Sequence, residues 1–110
     1  QGKSGKSEVI MQLEKNRRGR ELRVVLSGEL DHHNAAIIRE EVDRELDGSV
    51  KLLTLDMSGI TFMDSSGIGV VLGRYRRMSE SGGKLRMGGM SIYAEKILRM
   101  AGVLALLERK

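Results

Sequence analysis

The segment Leu52-Leu53-Thr54-Leu55 constrains the fold more than any other part of the chain. It is a short, mostly apolar run, and the stretches on either side of it carry the period of helices. A run of this length suits a strand covered on both faces, the central position of a sheet. Upstream, Ala35, Ile38, Val42 and Leu46 form one apolar stripe at helical spacing. Arg39, Glu40, Glu41, Asp43, Arg44 and Glu45 cover the other faces of that helix. Gly28-Glu29-Leu30-Asp31 leads into it and Asp47-Gly48 ends it. Downstream, a second helix follows Asp64-Ser65-Ser66, with Ile68, Val71, Leu72 and Tyr75 as its stripe and Ser81-Gly82-Gly83 as its stop. Strands joined through helices imply a parallel or mixed sheet.

Alternation with a period of two appears nearer the start. Val9, Met11 and Leu13 alternate with polar residues, Asn16-Arg17-Arg18-Gly19 reads as a turn, and Leu22, Val24 and Leu26 resume the pattern. This predicts a hairpin that adds an antiparallel strand at one edge. Leu85 and Met87 make another short strand. Ser91 can cap a third helix, with Ala94, Ile97, Leu98 and Ala101 facing inward and Gly102 breaking it. Val103 to Leu107 gives a last short strand or helical turn. The expected order is β-β-α-β-α-β-α plus a short C-terminal element. That is an α/β fold, a small mixed β-sheet flanked by helices. Residues 1–6 are expected to be a flexible tail and residues 7–110 a single domain.

Charge and composition narrow the function classes. Residues 1–20 hold six basic and two acidic side chains, and the remaining 90 residues hold thirteen of each. The net charge of +4 therefore belongs to the tail and the first turn, not to a basic face of the body. With only Phe62, Tyr75 and Tyr93 as aromatics, stacking on nucleic-acid bases is poorly supplied. No direct nucleic-acid partner is expected. The chain has no cysteine, so disulfide and thiolate chemistry are excluded. No apolar run approaches the roughly 20 residues of a membrane span, and no signal-peptide pattern opens the sequence. Gly5-Lys6-Ser7 matches only the end of a P-loop and lacks its first glycine and preceding strand.

The segment from Asp56 to Gly69, Asp-Met-Ser-Gly-Ile-Thr-Phe-Met-Asp-Ser-Ser-Gly-Ile-Gly, holds the densest chemistry. A buried strand is expected to end near Asp56. A loop then rises from its carboxyl end, and a helix starts at Ser65 or Ser66. Sites in open α/β sheets gather outside the carboxyl ends of strands, and a helix start offers free N–H groups. Plain capping by Asp64, Ser65 or Ser66 accounts for the same residues. A serine hydrolase is disfavoured, because the Gly-x-Ser-x-Gly elbow is missing around Ser65 and Ser66. His32 and His33 lack both the His-x-x-x-His spacing and a third ligand of a metal site. Gly67, Gly69 and Gly73 each cost a helix roughly 1 kcal/mol relative to alanine. Either tight packing on the sheet or a flat patch open to a partner's backbone explains them.

Two segments carry a family likeness. Gly28-Glu29-Leu30-Asp31-His32-His33-Asn34-Ala35 and the run from Phe62 to Tyr75, Phe-Met-Asp-Ser-Ser-Gly-Ile-Gly-Val-Val-Leu-Gly-Arg-Tyr, resemble the anti-sigma factor antagonists, small STAS-domain proteins. The likeness runs from about Val9 to Leu107 and is greatest to the sporulation branch of bacilli and clostridia, which controls the forespore sigma factor. It implies the STAS fold and a non-enzymatic, cytoplasmic regulator. In its unmodified form such a protein binds an anti-sigma factor that is also a serine kinase, and so frees the sigma factor. The kinase then phosphorylates the serine after the motif's aspartate, here Ser65, and a serine phosphatase resets it. ATP belongs to the kinase, so no cofactor is implied. The partner-binding residues implied are Asp31, His32, Asp64, Ser65, Ser66, Gly67, Gly69 and Gly73. A STAS scaffold module without its own phosphorylation cycle is the alternative. Ser91 is followed by Ile92 where relatives often have proline.

Overall fold

The computed structural model describes residues 11–109. Val9 and the expected tail at 1–6 lie outside the described residues. The chain runs β1 (Met11–Arg18), β2 (Glu21–Leu30), α1 (Ala35–Asp43), β3 (Leu52–Met63), α2 (Ser65–Glu80), β4 (Lys84–Met90), α3 (Ile92–Met100) and α4 (Val103–Arg109). The four strands lie in the order β1-β2-β3-β4. β1 is antiparallel to β2, while β2, β3 and β4 are mutually parallel. Leu52 to Leu55 does lie on an inner strand of a mixed sheet, and the last element is a helix.

Alternation sorts the sheet into two faces. Leu22, Val24 and Leu26 of β2 and Leu53, Leu55 and Met57 of β3 are fully buried on one face. Ile38 and Val42 of α1, Val70, Val71 and Met78 of α2, and Ala94 and Leu98 of α3 complete the same core. Each fully buried Leu or Val stabilises the fold by about 1.5–3 kcal/mol. The opposite face is polar. There Glu21 Oε2 accepts from Thr54 Oγ1 at 2.9 Å and from Arg86 Nη2 at 3.2 Å, and Arg23 Nη2 donates to Asp56 Oδ2 at 2.7 Å.

Several boundaries differ from the sequence reading. β1 continues through Arg18, and the hairpin closes over Gly19 and Arg20 alone. β2 runs on through Gly28 to Leu30, so most of the segment expected to lead into α1 is strand. Gly28 has φ of 102° at a register shift, so its freedom serves a β-bulge rather than a helix entry. β3 does not end near Asp56. It continues to Met63 and remains paired with β2, so no loop separates the central strand from Ser65. Ser58-Gly59 looks like turn chemistry, yet Gly59 is there for close approach: a Cβ on it would meet Ser27 Cβ at 2.7 Å.

The helices differ in detail too. α1 stops at Asp43, and Leu46 is buried from the turn beyond it. α2 buries Gly67, Val70, Val71, Arg74 and Met78, whereas Ile68, Leu72 and Tyr75 are only partly covered. The expected stripe is thus off by part of a turn, because the true inner face contains an arginine. Ala101 is exposed as the C-cap of α3, not inward. Ser91 does cap α3, its hydroxyl accepting from Ala94 N–H at 3.1 Å.

Candidate functional site

The ends of β2 and β3 create the site. Leu30 pairs with Met63, and Asp64 N–H donates to the Leu30 carbonyl at 3.3 Å. Because the two strands are parallel, Asp31 and Asp64 emerge side by side at the carboxyl edge of the sheet. Asp64 is the N-cap of α2. It has extended φ and ψ, and its Oδ1 accepts from Ser66 N–H at 2.8 Å. Of the three capping candidates, Asp64 does the capping. Ser65 is then the first helical residue, exposed to solvent, and Ser66 is half-buried.

Burial pushes the Asp64 carboxyl up, but the Ser66 N–H and the neighbouring Ser66 and His32 groups outweigh it and hold the carboxyl below its usual 3.8. A carboxyl depressed in the folded state stabilises the protein above the unfolded value and loses that contribution as pH falls through the folded one. Asp64→Ala is expected to cost about 1 kcal/mol at neutral pH through the lost cap. The gap from wild type should narrow as pH drops below 3.8, as urea unfolding at several pH values would measure.

Asp31 does not cap α1 with its side chain. The N-cap is Asn34, which makes no side-chain cap bond. Instead Asp31 Oδ1 accepts from His33 N–H at 2.9 Å, a turn closed by the side chain two residues back. Asn34 locks the same turn from the other side: its Oδ1 accepts from Asp31 N–H at 3.1 Å and its amide donates to the Glu29 carbonyl at 2.7 Å. Sequence reasoning missed Asn34. The signal was an Asp and an Asn three residues apart at a strand end, a pairing suited to side-chain-closed turns.

Each histidine lies beside a carboxylate. His32 Nδ1 is 3.7 Å from Asp64 Oδ2, and His33 Nδ1 is 3.6 Å from Asp31 Oδ1. The two rings lie 4.0 Å apart, centroid to centroid. Among the described residues neither imidazole bonds to Ser65 or Ser66, so no nucleophile–base pair is assembled. No group of three potential metal ligands exists among the described residues, and no helix there is long and apolar enough to cross a membrane.

The three glycines separate. Gly67 is buried against the end of β3, where a Cβ would clash with Met63 Cγ and meet Leu30 Cδ2 at 3.2 Å. Added Cβ atoms at Gly69 and Gly73 would meet nothing within 4 Å. Ser65, Gly69 and Gly73 therefore form one open stripe at four-residue spacing along α2. Phe62, 46% exposed, precedes the buried Met63 at the same edge and adds an apolar surface that the alternation of β3 did not reveal.

A four-stranded mixed sheet with this serine-led helix at its carboxyl edge defines a STAS domain, and the STAS-domain family matches over residues 12–109. The chain belongs to this family, among its anti-sigma factor antagonists. It is 36% identical over 81 residues to the anti-sigma F factor antagonist of Paenibacillus polymyxa, covering 73% of this chain and 69% of that protein. The structure is similar to that of the anti-sigma factor antagonist SpoIIAA in its unphosphorylated form, with a TM-score of 0.75 and 29% identity over 84% of this chain and 82% of that one. It is also similar to the Bacillus cell fate determinant SpoIIAA in the phosphorylated form, with a TM-score of 0.67 and 31% identity over 86% of each chain.

Proposed function

We propose that this chain is a partner-switching anti-sigma factor antagonist whose site residue is Ser65. Unmodified, it binds an anti-sigma factor that is also a serine kinase, and the sigma factor is released. The kinase moves the γ-phosphoryl group of ATP to Ser65 Oγ. The hydroxyl proton leaves to a base on the kinase, and ADP is the product. The modified protein dissociates, and a serine phosphatase hydrolyses the ester. The observation that carries this reading is the exposure of Ser65 in the first turn of α2, directly after the capping Asp64.

The physics favours a switch without refolding. A phosphoryl group adds roughly −1.5 to −2 charges at neutral pH. The N–H groups and dipole of α2 tolerate that charge, while a partner surface shaped for a neutral hydroxyl does not. The contact surface comprises Asp31, His32, Asp64, Ser65 and Ser66 with the open stripe at Gly69 and Gly73. Gly67 supports it from beneath by letting α2 approach Met63.

The test is intact mass after incubation with the cognate anti-sigma factor and ATP, followed by size-exclusion of the mixture. One added phosphate and loss of the complex are expected. A complex that persists with no added mass would instead favour a scaffold module.

Asp31 supplies a second check. Asn can accept the His33 N–H as Asp does, so Asp31→Asn should keep thermal stability within about 2 °C. Removing an acidic group from the rim should slow association with the anti-sigma factor several-fold at low ionic strength, by about an order of magnitude at most. Stopped-flow rates across a salt series would measure this, and equal rates at low salt would leave Asp31 as a turn residue only.

A further inference from the structure

We propose that His32 is the intramolecular partner of the phosphoryl group on Ser65, its imidazole turning from Asp64 to donate an N–H to the phosphoryl oxygens. The inference rests on the reading of Ser65 as the modified residue and adds what holds the modification in place. In the unmodified protein the site already carries two carboxylates, Asp31 and Asp64, at the ends of neighbouring strands. Asp64 stays ionised, the Ser66 N–H and the neighbouring Ser66 and His32 groups prevailing over burial. A phosphoryl group on the next residue roughly doubles the local negative charge. The α2 N-terminus offsets part of this, but its Ser66 N–H is already given to Asp64 at 2.8 Å.

Two side chains at this edge can supply a further donor, and they are not equivalent. His33 stands over Asp31 on the far side of the cluster, its backbone N–H bonded to Asp31 Oδ1 and its similarly exposed imidazole 3.6 Å from the same oxygen, so the two rings differ in position and not in freedom. His32 stands over Asp64, with Nδ1 3.7 Å from Oδ2 and a side chain 70% exposed. At that distance and exposure the imidazole is not locked by a hydrogen bond and can rotate at little cost. Asp64 is one residue from Ser65, so the swing from carboxylate to phosphoryl oxygen is short. The charged and titratable groups around His32 are Asp64 at the head of α2 and, within its own turn, Asp31 and His33. A stronger, more highly charged acceptor beside Asp64 draws the ring across.

The test uses protein carrying phosphoserine at position 65, inserted during translation so that no kinase is needed. The readout is the 31P NMR titration of its second ionisation in wild type, His32→Gln and His33→Gln. A donor that favours the dianion lowers the midpoint. The wild-type midpoint should therefore lie about half a pH unit or more below that of His32→Gln. That of His33→Gln should stay within about 0.2 of wild type. Coincident midpoints for wild type and His32→Gln, or a larger shift in His33→Gln, would overturn the proposal. His32→Asn is the second variant should Gln disturb the turn, with the amide spectrum of each unmodified variant checking the fold. The reading of Ser65 itself fails by a different result, the absence of phosphate transfer to Ser65 by the cognate kinase.

Discussion

Ser65→Ala is expected to abolish phosphate uptake while leaving the fold and the unmodified complex intact. The stability side follows from the division of labour at the head of α2. Asp64 provides the cap, accepting from Ser66 N–H, and Ser65 is an exposed residue one step inside the helix. Alanine suits that position, so the change in stability should stay within about 0.5 kcal/mol. The switching side follows from chemistry, because without Oγ there is no acceptor for the γ-phosphoryl group. Phosphate incorporation should fall to background, at least about 100-fold below wild type, the scale expected when a reacting atom is removed outright. Affinity for the anti-sigma factor should change little, since a small hydroxyl is replaced by a smaller methyl. The complex should then persist in ATP, and sigma-dependent transcription should stay on. Stoichiometric phosphate on the variant would move the site to Ser66, which is half-buried with its N–H given to Asp64.

The parts of this fold that the sequence disclosed are those where one physical signal acts alone. Period-two alternation at Leu22, Val24 and Leu26 and the apolar run at Leu52 to Leu55 placed strands. The Asp64-Ser65-Ser66 cluster places a helix start at Ser65 or Ser66, and the helix begins at Ser65. The errors came where one residue type serves two purposes. Gly28 reads as part of the lead into the first helix and Gly59 falls in the loop expected after Asp56, because glycine is the usual punctuation of loops. In the folded chain Gly28 is a bulge, and Gly59 makes room for Ser27 on the neighbouring strand. Both requirements are set by pairing between β2 and β3, which no local window contains. The same pairing carries β3 to Met63 and brings Asp64 against Leu30, so the nearness of Asp31 and Ser65 depends on it. That nearness was inferable from parallel strands alone. The turn around Asp31 was not, since its shape depends on Asn34 bonding in both directions.

Arg74 is the largest departure from the expected pattern, and the second large effect rests on it. It lies on the inner face of α2 with a side chain only 6% exposed. Its Nε is 2.9 Å from Asp43 Oδ1 at the end of α1, ion-pair distance, but the N–H is not aligned on that oxygen. The attraction is thus coulombic rather than a formed hydrogen bond, and Nη1 is buried without a protein partner. Burial works against the Arg74 charge, Asp43 supports it, and Arg39 and Arg77 oppose it. Arg77 also approaches Asp43, at 3.8 Å, but is itself half exposed. Asp43 is therefore the counter-ion that lets a guanidinium stay between α1 and α2. Asp43→Asn removes the charge and keeps the shape, leaving a buried cation with two cationic neighbours. Breaking such a pair from one side costs about 3–5 kcal/mol, and the partial exposure of Asp43 argues for about 3. For a domain of this size that is a fall in Tm of more than about 10 °C. Arg74→Met behaves differently. It fills similar volume and removes the unpartnered donors, but it leaves Asp43 Oδ1 buried without its cation while Oδ2 stays 3.8 Å from Arg77 Nη1. Removing the cation alone also breaks the pair, but Asp43 is a quarter exposed and keeps Arg77 beside it, so Arg74→Met should cost less than Asp43→Asn, about 1–2 kcal/mol. In the double variant the cation is gone, and the penalty of Asp43→Asn should fall to less than about 1 kcal/mol. Urea unfolding of the four proteins closes the cycle. Equal losses for Asp43→Asn with and without Arg74 would sink the account of Asp43 as the counter-ion of a buried charge.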